Sequence, residues 1–107
     1  MAVAFVQEFP IQDGDTSTTN YDAVVEALGL KEAPKGLLIH TAGFDHDRGV
    51  FRIMDVWETR EDGERFVNEQ LNPIIEPMME KAMQEGDETF TPPTHESWYE
   101  LHDHMTG

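Results

Sequence analysis

The chain has 107 residues, of which 22 are Asp or Glu and 7 are Lys or Arg, so its formal charge is −15. This excess of carboxylates argues against binding to nucleic acid or to an anionic membrane surface, since both need clustered Lys and Arg. The absence of cysteine excludes disulfides and thiolate metal sites. We expect a single cytoplasmic domain over residues 1–107, because the first residues lack a basic n-region and a cleavage site.

The first part of the chain predicts a strand followed by a helix. Residues 2–9 are β-branched, aromatic and small, and they end at Pro10, which is typical of a strand. A polar loop over 12–20 leads into a helix whose start is marked by Thr19 and Asp22, spaced as in a capping box. Gly29 predicts the end of this helix. Its apolar stripe consists of Tyr21, Val24, Val25 and Leu28.

The next two strands, residues 37–44 and 50–58, flank a turn over 45–49 and predict a β-hairpin in which His40 pairs with Ile53. Alternation then sorts the side chains onto two faces. One face is mixed and comprises Leu38, His40, Ala42, Phe51, Ile53, Asp55 and Trp57; the other is mostly aliphatic and comprises Leu37, Ile39, Thr41, Val50, Arg52, Met54 and Val56. We expect the aliphatic face to pack under the helices, which leaves the mixed face open.

The last part predicts a second helical region and a fourth strand. Thr59 and Asp62 form another capping-box pattern, and Pro73 is expected to interrupt the helix, with Asn72 capping a new one that runs to about Gln84. Residues 95–102 predict the last strand. The order β-α-β-β-α-β is that of an α+β, ferredoxin-like fold with a four-stranded antiparallel sheet.

A sheet with helices on one side leaves its other face bare, and the mixed face is too apolar for water. A second copy of the same sheet would cover it. The sequence therefore predicts a homodimer with a cavity that both chains line and that would take a small hydrophobic or aromatic ligand.

Several segments resemble the antibiotic biosynthesis monooxygenase superfamily of dimeric α+β barrels. The resemblance rests on residues 55–66 (DVWETREDGERF), residues 21–24 (YDAV), residues 36–40 (GLLIH) and the Leu71-x-Pro73 break. It implies a homodimer, and in some members a cofactor-independent oxygenase that converts aromatic substrates to quinones. It also implies that Trp57 corresponds to a Trp that lines the pocket in those members. Haem-degrading members carry a His on the second helix, and residues 59–85 contain none.

The candidate catalytic residues are His40, as a general base, and Asp55, as its orienting partner. The alternative is a buried His satisfied by a neighbouring carboxylate or carbonyl. The candidate substrate-binding residues are Trp57, Ile53, Phe51, Leu38, Trp98 and Tyr99, and one of the last two should face the cavity because neighbours on a strand point to opposite sides. His102 and His104 have a spacing that metals can use, but a frayed tail explains them better, and we expect neither a metal nor a cofactor.

The sequence therefore favours a cofactor-independent monooxygenase acting on a small aromatic or polyketide-like substrate. Two alternatives stay open. One is a cyclase or lyase that uses the same barrel and His40 as acid and base. The other is a dimer that binds a ligand, or only supports structure, without catalysis.

Overall fold

The computed structural model describes residues 1–12 and 14–105, with the element order predicted from the sequence. Its elements are β1 (Val3–Pro10), α1 (Thr19–Leu28), β2 (Leu37–Asp45), β3 (Val50–Trp57), α2 (Arg60–Phe66), α3 (Asn72–Glu85) and β4 (His95–Glu100). The strands form one sheet in the order β2-β3-β1-β4, and every neighbouring pair is antiparallel. The predicted α+β, ferredoxin-like fold is confirmed.

Helix α1 starts one residue earlier than a capping box at Thr19 would require. Thr18 occupies the capping position, and its hydroxyl donates to the Asp22 carboxylate at 2.8 Å instead of accepting a backbone N–H. The helix ends as predicted at Gly29, which has a φ of 58° and donates its N–H to the carbonyl of Val25. Only glycine adopts this left-handed conformation without steric cost.

The predicted break at Pro73 is wrong, because α2 and α3 are joined by a π-helical turn, Val67–Leu71, rather than by a cap. In this turn the N–H of Asn72 donates to the carbonyl of Val67, five residues earlier. Asn72 itself has helical backbone angles, so it caps nothing. Pro73 falls in the first turn of α3, where a missing N–H is tolerated. At the start of α2 the predicted cap is confirmed: the hydroxyl of Thr59 accepts the N–H of Asp62 at 3.1 Å.

None of the helices within residues 1–12 and 14–105 combines the length and the apolar character that a bilayer crossing would need.

The β2–β3 register differs from the predicted one. His40 pairs with Asp55, not with Ile53, and the loop between the strands is residues 46–49. This is a shift of two residues, and an even shift keeps every paired side chain on its predicted face. The predicted division into two faces therefore holds for β3 and for β2 from Ile39 onwards. Leu37 changes face, because a register shift before Ile39 pairs it with Trp57 on the mixed face.

The helices cover the mixed face, not the aliphatic one as predicted. On this face Trp57 packs against Phe66 of α2, with ring centroids 5.5 Å apart, and His40 contacts Tyr21 of α1. The physical reason is the size of the aromatic side chains: burying them removes more apolar area from water than burying Val, Ile or Met. The aliphatic face of the sheet has no covering element in the described part of this chain.

The buried core sits between β1, β3 and α2. Val3, Phe5 and Trp57 are its buried members, and Trp98 of β4 stacks on Phe5 at 4.0 Å between ring centroids. Gly63 of α2 lies directly over this cluster: a Cβ built on it would meet the Trp98 ring at 2.8 Å. A glycine at this position lets the helix approach the sheet closely.

We predict that Gly63→Ala destabilises the fold by about 1–3 kcal/mol, because the added methyl overpacks the two indoles. An ordinary Gly→Ala change inside a helix has the opposite sign, with about 1 kcal/mol of stabilisation. Urea unfolding of both proteins measures the difference. Gly43→Ala is the control, since a Cβ there meets nothing within 4 Å. A gain in stability for Gly63→Ala would contradict this packing.

Candidate active site

A cavity of about 1290 Å³ opens between the mixed face of the sheet and the helices. It therefore lies on the helix side of the sheet within one chain, whereas the sequence predicted a cavity on the open face. One part of its wall, around His40 and Asp55, is called the polar end here. Elsewhere apolar side chains form much of the wall, with other polar side chains such as Gln7, Asn68 and Glu96 among them. The apolar wall comes from strands and helices alike and comprises Phe5, Phe51, Ile53, Trp57, Trp98, Phe66, Leu71, Ile75 and Met79.

The polar end is built on the β2–β3 ladder. His40 and Asp55 are register partners, so their side chains leave neighbouring strands on the same face, close together. Nδ1 of His40 lies 2.5 Å from Oδ1 of Asp55. The Asp55 side chain is 15% exposed and the His40 side chain 43%, so the carboxylate is the enclosed partner and the imidazole the accessible one. The sequence predicts Asp55 as the orienting partner of His40, although the predicted register places His40 opposite Ile53.

A third group completes the polar end, and the sequence did not reveal it. The hydroxyl of Tyr21, on α1, lies 2.7 Å from Nε2 of His40. The two rings are nearly parallel, with an angle of 4° between them, and Tyr21 also contacts the edge of Phe51. The tyrosine was assigned only to the apolar stripe of α1. The one feature of the sequence that could have indicated its role is that Tyr21, alone among the stripe residues, carries a hydroxyl group.

The hydrogen-bond partners of His40 determine which of its ring nitrogens carries a proton. An ionised Asp55 can only accept, so Nδ1 of His40 carries a proton and donates it to the carboxylate. In the neutral imidazole, Nε2 is then an acceptor, and the Tyr21 hydroxyl donates to it. The three groups form a continuous chain in the order tyrosine hydroxyl, imidazole, carboxylate.

Two of these groups have shifted pKa values. The hydrogen bond from Asp55 raises the pKa of His40, an effect that burial opposes and the carboxylate charge reinforces. Burial raises the pKa of Tyr21, and the negative charges of Asp55 and Asp22 raise it further. His40 is thus a stronger base than a free imidazole, and Tyr21 stays protonated at neutral pH.

Four of the six predicted substrate-binding residues line the cavity: Phe51, Ile53, Trp57 and Trp98. The indole N–H of Trp57 is buried and has no hydrogen-bond partner among the described residues. Such a group is costly to bury unless a ligand or water satisfies it.

Leu38 and Tyr99 do not line the cavity. A β-bulge between Leu37 and Ile39 turns Leu38 away from the ladder, and Leu37 takes its place beside Trp57. Such bulges re-aim side chains, and alternation alone cannot locate them. Tyr99 pairs with Ala4 on the opposite face and is half exposed. Of the two aromatic neighbours on β4, Trp98 is therefore the one that faces the cavity.

The charged side chains that line the cavity are all carboxylates in the part of the chain that the structure describes; they are Asp15, Glu32, Asp55, Glu64, Asp87 and Glu96. Arg60, next to this wall, lies over the Trp98 ring and is paired with Glu64 at 2.7 Å. A site of this kind repels carboxylates and phosphates and accepts uncharged ligands.

No group of three or more His, Asp or Glu side chains suited to holding a metal ion occurs within residues 1–12 and 14–105. His102 and His104 lie exposed beyond the end of β4.

Solved structures share this fold. A variant of SnoaB from Streptomyces nogalater, described as a cofactor-independent oxygenase, is 13% identical over 99% of this chain and 98% of its own, with a TM-score of 0.62. Rv0793 from Mycobacterium tuberculosis is 15% identical over 99% of this chain and 100% of its own, with a TM-score of 0.63. A protein from Chloroflexus aurantiacus, described as a candidate antibiotic biosynthesis monooxygenase, is 15% identical over 100% of both chains, with a TM-score of 0.55.

No protein-family model matches this chain, and no curated protein matches it significantly. The resemblance to the antibiotic biosynthesis monooxygenase superfamily is thus confirmed at the level of the fold.

We predict that Asp55→Asn lowers the pKa of His40, because it removes the carboxylate that raises this pKa and leaves the opposing effect of burial. Histidine side-chain NMR across a pH series measures the shift, and His40→Gln identifies the resonance by its loss. His102, beyond β4, is the internal control. An unchanged His40 pKa in Asp55→Asn would contradict the hydrogen bond.

The same shift has a consequence for stability. Because folding raises the pKa of His40, the residue adds stability that is fully present below the unfolded pKa and is lost as the pH rises through the folded value. The stability difference between the wild type and Asp55→Asn should therefore be larger at about pH 5.5 than at about pH 9.

Proposed function

We propose that this chain is a cofactor-independent monooxygenase that acts on a small, uncharged aromatic or polyketide-like phenol. The observation that carries the proposal is the hydrogen-bonded His40–Asp55 pair at the polar end of a cavity with aromatic walls. The shared fold with a structure described as a cofactor-independent oxygenase supports it.

The apolar part of the cavity would hold the substrate ring. Phe51 and Trp98 are only partly buried and offer aromatic surfaces, and stacking on such a surface is worth about 0.5–1.5 kcal/mol beyond the burial of area. Trp57, at 1% exposure, belongs to the core beside them. The carboxylates around the cavity favour a substrate without a carboxylate or phosphate of its own.

The proposed reaction starts with loss of the phenol proton towards His40. The resulting imidazolium is stabilised by the Asp55 carboxylate, and the phenolate is rich enough in electrons to react with O₂. One oxygen atom forms a new bond to a ring carbon and becomes a carbonyl. The O–O bond breaks, and the other oxygen atom leaves as water with the phenol proton and the hydrogen of the attacked ring carbon, so a phenol and O₂ give a quinone and water. The substrate is oxidised and O₂ is reduced, with no further reductant.

We predict that His40→Ala lowers the rate of oxygen uptake by about 10²–10⁴-fold, which is the range for the loss of a general base. His40→Gln should retain substrate binding and lose turnover, because an amide keeps a hydrogen bond but cannot take the proton. An oxygen electrode with a panel of phenols and hydroquinones measures turnover, and equilibrium dialysis measures binding.

The panel pairs each neutral phenol with a carboxylated analogue, which should bind more weakly at low ionic strength. His102→Ala is the control for the His40 variants, since His102 lies outside the cavity. Substrate turnover without oxygen uptake would replace the oxygenase by a cyclase or lyase. Binding that never leads to product would indicate a ligand-binding protein.

The aliphatic face of the sheet is the proposed dimer surface, and the dimer would be cytoplasmic. Its charged groups are neutralised within the chain: Arg48 and Arg52 donate to the buried Glu8, and Arg52 also pairs with Asp45. The Arg52 hydrogen bond lowers the pKa of Glu8 against the opposing effect of burial. Two positive and two negative charges leave this cluster neutral in a chain of charge −15. A second copy can therefore approach this face with little repulsion.

We predict that the protein sediments as a dimer at micromolar concentration and that Met54→Glu shifts it towards the monomer. Met54 lies on the aliphatic face opposite Val6 and Thr41, where a carboxylate from each chain would be brought together. Met83→Glu is the matched control, because Met83 is 80% exposed on α3, on the helix side of the sheet. A stable wild-type monomer would refute the dimer while leaving the cavity within one chain intact.

A further inference from the structure

The nitrogen that would accept the substrate proton already has a partner. Nε2 of His40 receives a hydrogen bond from the Tyr21 hydroxyl at 2.7 Å, while Nδ1 is held by Asp55. Both ring nitrogens are therefore occupied. A substrate hydroxyl can reach the base only by displacing Tyr21 or by passing its proton through the tyrosine oxygen.

The packing of Tyr21 favours passage of the substrate proton through its hydroxyl over displacement of the tyrosine side chain. Its ring lies parallel to the imidazole and contacts the edge of Phe51 at 5.4 Å between centroids. Its backbone belongs to the first turn of α1, so moving the hydroxyl away would disturb these contacts. A tyrosine oxygen that donates to Nε2 still has two lone pairs with which to accept a hydrogen bond. Tyr21 also lines the cavity, so a bound ligand can approach it.

We propose that Tyr21 is a catalytic residue whose hydroxyl relays a proton between a phenolic or enolic hydroxyl of the substrate and Nε2 of His40. This inference rests on the proposed function and specifies its substrate class: a ligand with an acidic hydroxyl that hydrogen-bonds to the tyrosine oxygen.

The relay is balanced at each step. The substrate O–H bond breaks and its proton forms a new O–H bond on Tyr21, while the original Tyr21 proton moves to Nε2 of His40. Tyr21 is neutral before and after, the imidazole becomes imidazolium, and the substrate becomes its anion. After O₂ has added to a ring carbon, the same path in reverse returns this proton to the outer oxygen of the peroxide. The O–O bond then breaks as that ring carbon loses its hydrogen as a proton, and the departing oxygen leaves as water with both protons.

The charges around Tyr21 suit this role. The charged groups that act on Tyr21 are Asp55 of β3 and Asp22 of its own helix, and Asp55 is the charged partner of His40. Both carboxylates oppose ionisation of the tyrosine. Tyr21 therefore stays neutral while it transfers protons. It does not become a tyrosinate that would compete with the substrate anion for the imidazolium of His40.

Tyr21→Phe tests the relay, because it keeps the ring and removes only the oxygen. With a phenol that the wild type oxidises, we expect kcat to fall by about 10²-fold while KM changes by less than about threefold. Rates in mixtures of H₂O and D₂O provide a second readout: two protons in flight give a curved dependence on deuterium fraction in the wild type, and one proton gives a straight line in the variant. Tyr99→Phe, on the opposite face, should behave as the wild type.

Turnover in Tyr21→Phe equal to or faster than that of the wild type would overturn the relay and identify Tyr21 as a competitor for Nε2, while the oxygenase itself stands. If no phenol is oxidised, the relay is tested without turnover. In Tyr99→Phe, Tyr21 is the only tyrosine left, since the chain has two, and its ionisation is followed by ultraviolet absorbance. Adding Asp55→Asn should lower the Tyr21 pKa; an unmoved pKa would refute the coupled chain of groups on which the relay depends.

Discussion

The pairing of β2 with β3 is the constraint on which the site depends. It places His40 directly opposite Asp55, so a largely enclosed carboxylate meets an imidazole that hydrogen-bonds to it. A slip of one residue would send the imidazole to the other face and leave Asp55 buried without a partner, which is expensive in a medium of low polarity. The β2–β3 register thus determines the His40–Asp55 hydrogen bond, and other registers are less stable because they lose this bond. Tyr21 can reach Nε2 only because Nδ1 is already held.

The order of the elements and the division of the hairpin into two faces follow from the sequence, since both depend on local patterns: alternation in strands and stripes in helices. Which face the helices cover does not follow. Alternation places Trp57 and Val56 on opposite faces of the sheet, but it does not determine which of these faces the helices cover. The expectation that aliphatic side chains pack under the helices failed because Trp57, Phe5 and Trp98 have more apolar area to bury.

In the candidate site, too, contacts within the hairpin could be predicted from the sequence, whereas contacts that depend on tertiary packing could not. His40 and Asp55 could be brought together from the sequence because they belong to neighbouring strands of one hairpin. Tyr21 could not, since its contact with His40 depends on how α1 crosses the sheet, a tertiary choice that no local pattern encodes. Leu38 was misplaced for another reason: a bulge adds one residue to a strand and reverses the alternation locally, and nothing in the residues 36–40 marks it.

The π-helical turn between α2 and α3 gives the long helical segment an extra residue. Successive residues of an α-helix are separated by about 100° around the axis, so this residue resets the phase of everything that follows it. Phe66 and Val67 precede the reset, Ile75 and Met79 follow it, and all four line the same cavity. Removing one residue from 67–71 would leave a regular helix but rotate α3 by about a quarter turn, which would carry Ile75 and Met79 away from the substrate. The length of this segment, and not only its composition, is therefore part of the information that shapes the pocket.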